Sequence, residues 1–160
     1  MKTRMLVTVA MITALTALNA KADEEQKLKR SEVPAAVIKA VSAKYPKAKM
    51  TGFSRETEDG VTKYEVQLQL DGANADVDVS PQGKILEEER TIPFDSLPPA
   101  VKKGFASSHY AKGKVEKVEK STKFGNTVEI SYELLVRLGD KTHELLFSPA
   151  GKRIQGEDEK

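Results

Sequence analysis

The sequence predicts an α+β fold of two tandem units, each a helix followed by a four-stranded antiparallel sheet, joined in one body. Three observations carry the prediction. Residues 132–152, YELLVRLGDKTHELLFSPAGK, repeat the pattern of residues 64–84, YEVQLQLDGANADVDVSPQGK, at a constant offset of 68. Tyr64 maps to Tyr132, Glu65 to Glu133 and Leu70 to Leu138; the turn residues Ser80, Pro81, Gly83 and Lys84 map to Ser148, Pro149, Gly151 and Lys152. Turn residues in step over some twenty positions mark an internal repeat. A stripe of apolar residues at helical spacing precedes each hairpin, and apolar and polar residues alternate within it. These are the periods of an amphipathic helix and of half-buried strands.

Residues 1–22 read as a signal peptide. Lys2 and Arg4 make a basic start, residues 5–18 are an uncharged apolar run, and Ala20-Lys21-Ala22 has the form a signal peptidase reads. The run is shorter than the ~20 residues a spanning helix needs. Cleavage between Ala22 and Asp23 is expected, and residues 23–30, charged and without apolar period, are expected to form a flexible leader.

The first unit covers residues 31–90. Val33, Val37, Val41 and Tyr45 give a helix over 31–45, with Pro34 suited to its first position and Pro46 ending it. Strands are predicted over 50–58, 62–70, 73–79 and 84–90. In the second of these Tyr64, Val66, Leu68 and Leu70 share one face. Asp71-Gly72 suits a type I′ hairpin, and Ser80-Pro81-Gln82-Gly83 a type I turn.

The second unit covers residues 95–155. Leu97, Val101 and Phe105 repeat the helical stripe, weakened at Gly104 by roughly 1 kcal/mol relative to alanine. Val115 and Val118 stand for Met50 and Phe53. Residues 121–126 are expected to loop out and absorb the growth of the offset from 64 at the helix to 68 at the hairpin. A long strand over 127–138 meets a type II′ turn at Gly139-Asp140. That turn places Leu134 opposite Leu145, Val136 opposite His143 and Tyr132 opposite Phe147. Residues 156–160 form a polar tail.

Composition narrows the function. The 26 basic and 24 acidic residues lose three bases and no acid with the signal, leaving a mature charge of −1. That balance lacks the clustered basic face nucleic-acid binding needs. Without cysteine there is no disulfide, thiolate nucleophile or cysteine zinc site. No catalytic residue, cofactor or metal site is expected. His109 and His143 fall in different elements without acids at ligand spacing. Asp76, Asp78 and Glu65 share a strand face, which reads as a solvated acidic surface in preference to a calcium site.

Each unit resembles the PepSY-like, beta-lactamase-inhibitor-protein-like family of exported bacterial proteins. The resemblance rests on the helix starts Val33 to Val37 and Leu97 to Val101, on Tyr45-Pro46, on the strands opening Tyr64-Glu65-Val66 and Tyr132-Glu133-Leu134, and on the Gly-Lys turns. It implies helices on one side of joined sheets, an open sheet face on the other, and binding or inhibition of another protein. Ala111 replaces the helix-ending proline in the second unit.

The expected function is therefore an exported non-enzymatic binding module, periplasmic or secreted, with an unidentified protein partner and no membrane contact after cleavage. A structural or stress-related envelope protein, or a weak small-ligand or metal binder, is the alternative. The candidate binding residues are Glu133, Leu135, Arg137, Glu144 and Leu146. They face away from the helix, and the leucines replace Gln67 and Asp78 of the first unit. Either a partner, or another part of the chain such as 121–126, would cover them.

Overall fold

Turn chemistry sets the register of both hairpins. Asp71 and Gly72 have φ of 52° and 81°, both in the left-handed region that a type I′ turn demands. Gly139 alone carries the positive φ, 63°, in the second hairpin, as a type II′ turn requires. The resulting pairs, among them Val66 with Val77 and Leu134 with Leu145, are those the sequence predicts. The computed structural model describes residues 25–58 and 60–155. The expected signal segment, the expected Ala22/Asp23 cleavage site and the 156–160 tail lie outside the described residues.

Among the described residues, nine strands form one antiparallel sheet in chain order: β1 (Gln26–Lys27), β2 (Lys49–Glu58), β3 (Val61–Leu70), β4 (Ala73–Val79), β5 (Ile85–Thr91), β6 (Lys114–Phe124), β7 (Val128–Leu138), β8 (Lys141–Phe147) and β9 (Arg153–Gln155). Helices α1 (Ala35–Lys44) and α2 (Pro99–Ala106) precede β2 and β6. The two units join where β5 pairs with β6, from Glu87 opposite Lys123 to Thr91 opposite Glu119. Each unit carries a bulge at the same place, between Met50 and Gly52 and between Val115 and Lys117.

Two cores form on one side of the sheet. Val37 and Val41 of α1 close over Val66, Leu68, Val77 and Val79, while Val101 and Phe105 of α2 close over Leu134, Val136, Leu145 and Phe147. A polar seam lies alongside the first core. Tyr45 donates to Glu88 at 2.5 Å, Lys44 and Arg90 approach the same carboxylate, and the Lys44 ammonium stands 3.7 Å from the Phe124 ring centroid.

Three expectations are corrected. Gln26 and Lys27 pair with Arg55 and Ser54, and Leu28 packs on the first core. This part of the leader is a strand because the edge of β2 offers it hydrogen bonds. Pro34 and Pro98 stand one residue before their helices, with ψ near 140°; their carbonyls accept from Val37 and Lys102. Residues 121–124 are not loop but the end of β6, bonded to β5 and β7 on either side. The second unit's extra length goes into a longer hairpin.

Candidate functional site

Alternation along the strands sends every second side chain to the face that the helices leave bare. On β7 and β8 these are Glu133, Leu135 and Arg137 with Thr142, Glu144 and Leu146. Leu146 lies opposite Glu133 and Glu144 opposite Leu135, as predicted. Leu135 and Leu146 are therefore diagonal neighbours, and both are half-buried. Segment 121–126 does not fold over them, since β6 pairs edge to edge with β7 as far as Phe124 opposite Val128 and brings Lys117 opposite Leu135. Arg137 does not stand free. Its guanidinium donates two bonds to Glu116, at 2.8 and 3.0 Å, and Glu116 is available for this because it occupies the bulge of β6.

The middle of the same face is acidic. Pairing across β3, β4 and β5 sets Glu65 opposite Asp78, Asp78 opposite Glu87, and Asp76 opposite Glu89. Across β6 and β7, Glu119 lies opposite Glu133. Like charges directly opposite each other destabilise a sheet, so local bonds matter. Lys63 reaches Asp78 at 2.8 Å and Glu56 at 2.9 Å, Lys117 reaches Glu119 at 2.7 Å, and Ser121 donates to Glu87 at 2.5 Å. Glu119 is only 9% exposed. Glu87, Glu89, Ser121, Ser131, Glu133 and Glu144 line part of a concavity of about 650 Å³.

Crowding shows in the acidities. Burial, then the charges of Glu144, Glu119 and Glu89, raises the Glu133 carboxyl to about 7. Burial, then Glu87, Glu119, Asp78 and Asp76, raises Glu89 to about 7. Asp76 is raised by burial and by Glu119, against the pull of Lys117. Asp78 is raised by burial despite the Lys63 bond. A desolvated carboxylate among other carboxylates holds its proton more tightly.

Of these acids, Glu65, Asp76 and Asp78 share a face legible from the residues alone, whereas Glu87, Glu89 and Glu119 join them only through the fold. Their strands were legible; the β5–β6 pairing that unites them crosses between units and has no turn to announce it. Among the described residues no group of carboxylates and histidines is arranged to hold a metal ion. His109 and His143 lie on the helix side against Tyr110, with ring centroids 5.6 and 4.7 Å away.

Two helices on one side of a continuous nine-stranded antiparallel sheet, in two repeated units, define an α+β tandem-repeat protein. The chain belongs to the family described as "Putative beta-lactamase-inhibitor-like, PepSY-like", whose model matches residues 20–87 and again 72–154. A BLIP-like protein from Bacteroides fragilis is 27% identical, covering 79% of this chain and 86% of its own, with a TM-score of 0.62. A DUF2874 family protein from Bacteroides uniformis is 25% identical, covering 78% and 88%, with a TM-score of 0.66. A protein from Bacteroides eggerthii described as a "putative periplasmic" protein has the same fold at 22% identity, covering 78% and 88%, with a TM-score of 0.67. None of the curated proteins compared with the chain matches it.

Proposed function

We propose that the mature chain is an exported, non-enzymatic module that binds another protein through its open sheet face. The observation that carries this reading is the pair Leu135 and Leu146, half-buried on a face without helices and set among Glu133, Glu144 and Arg137. An apolar centre with a polar rim is the form of a protein contact. The BLIP-like relative and the family's inhibitor-like description support a protein target, and the "putative periplasmic" relative supports export. The signal peptide with cleavage at Ala22/Asp23 is part of the proposal.

The test is co-purification of the mature protein from its native envelope, compared with a variant carrying Leu135→Gln and Leu146→Asn. A partner identified by mass spectrometry should be held by the parent and lost by the folded variant. Equal recovery of that partner by both would move the binding site elsewhere.

A further inference from the structure

The open face has more carboxylates than its own cations neutralise. Lys63 is engaged by Glu56 and Asp78, Lys117 by Glu119, and Lys123 lies 3.7 Å from Glu87. Among the described residues, Asp76, Glu89, Glu133 and Glu144 make no direct ion pair; Lys117 attracts Asp76 and Glu133 only from further off, and Glu133 shares a hydrogen bond with Glu144. Yet Asp76 and Glu89 stand directly opposite each other, and Glu133 and Glu144 flank Leu135 and Leu146 from neighbouring strands. Folding alone does not favour this placement, because directly opposed like charges are destabilising and β-propensity is poor for both Asp and Glu.

The scale of the arrangement limits what could relieve it. Asp76 on β4 and Glu144 on β8 are four strand spacings apart, about 19 Å at ~4.8 Å each. A single cation or a small amine does not span that width. It does match a standard protein contact, which buries ~800 Å² on each partner. The leucines lie within the same surface, beside the β8 end of the carboxylate row, so an occupant must be apolar at one point and positive around it.

We propose that this face docks a protein whose contact surface is cationic, with arginine or lysine side chains set around an apolar side chain that seats on Leu135 and Leu146. The proposal rests on reading the open face as a protein-binding surface and names the chemistry of the partner. Arginine suits it best, since one guanidinium can bridge an opposed carboxylate pair such as Asp76 and Glu89 through parallel hydrogen bonds. Complementary charge of this kind steers encounter and rejects acidic partners.

The probe is a short soluble peptide with arginines around a pair of leucines, compared with a version in which glutamates replace the arginines. Binding to the mature protein is read by fluorescence anisotropy at low and high salt, and its location by amide chemical shifts. The arginine peptide should bind, shift the amides of β4 to β8, and weaken with salt. Combined Asp76→Asn, Glu89→Gln, Glu133→Gln and Glu144→Gln should weaken it by about tenfold or more, with the fold intact by circular dichroism. Absence of binding, binding unchanged in that variant, or shifts confined to the helix side would overturn the proposal. Preference for the glutamate peptide, abolished by Leu135→Gln and Leu146→Asn, would also overturn it while leaving the reading of a protein-binding face in place.

Discussion

Gly104 of α2 lies against the Gly151 carbonyl oxygen so closely that a β-carbon at position 104 would overlap it. The contact is reciprocal. Gly151 has a φ of 78°, and a β-carbon there would overlap the Ala100 carbonyl oxygen. The second Ser-Pro-x-Gly turn is thus pressed onto the helix backbone. In the first unit Gly83 approaches Ala36 in the same way, with 2.7 Å between an added β-carbon and the Ala36 oxygen.

Two effects oppose each other in Gly104→Ala. Alanine improves helix propensity by about 1 kcal/mol. Overpacking against a backbone carbonyl, which cannot rotate away, costs about 1–3 kcal/mol. The clash is expected to win, so Gly104→Ala should lower the urea midpoint. Gly151→Ala should lower it further, because it adds backbone strain to overlap. An unchanged or raised midpoint for Gly104→Ala would show that the turn can lift off the helix.

Phe147 is 1% exposed and belongs to the second core with Val101, Phe105 and Leu134. Phe147→Ala is expected to cost about 3–5 kcal/mol, read from urea unfolding. The β5–β6 ladder couples the units, so both should unfold together, visible as coincident transitions by fluorescence and circular dichroism. Two separate transitions would mean that the ladder is the weaker link.

Much of this architecture is legible in the residues because it is local. Asp71-Gly72 and Gly139-Asp140 fix the hairpin registers, and the registers place Leu134, Val136, Leu145 and Phe147 inward without reference to anything distant. The same rule put Leu135 and Leu146 on the open face. What stayed hidden depends on non-local pairing. The strand at Gln26 exists only because β2 has an edge to offer, and no period announces a two-residue strand. Glu87, Glu89 and Glu119 read separately as polar positions and become one cluster only through β5 and β6. Gly104 read as a weak helix residue because its reason, the Gly151 backbone, lies in another element.

The acidic face should make stability depend on pH in an unusual direction. Glu89 and Glu133 are raised from an ordinary 4.5 to about 7. Between those values the folded state binds more protons than the unfolded state, so stability contributed by these groups falls as pH rises. It is fully present below about 4.5 and lost by slightly above 7. Urea midpoints should therefore decrease from mildly acidic to mildly alkaline pH. Combining Glu89→Gln and Glu133→Gln should flatten that slope, and an equal slope in the variant would place its origin in other groups.

Leu135 and Leu146 separate binding from folding most directly, because they sit on the bare face and outside both cores. The first unit carries Gln67 and Asp78 in their places, which shows that a strand pair of this type folds with polar residues there. Leu146→Asp would add a carboxylate opposite Glu133 and confound the test with like-charge repulsion. Leu146→Asn keeps the branching at Cγ and adds no charge. Together with Leu135→Gln it should change stability by about 1 kcal/mol or less, the range for surface substitutions away from a core. Unfolding of the double variant would make the leucines structural. A folded double variant, shown by unchanged circular dichroism and a midpoint close to the parent, leaves the pair free to serve a partner.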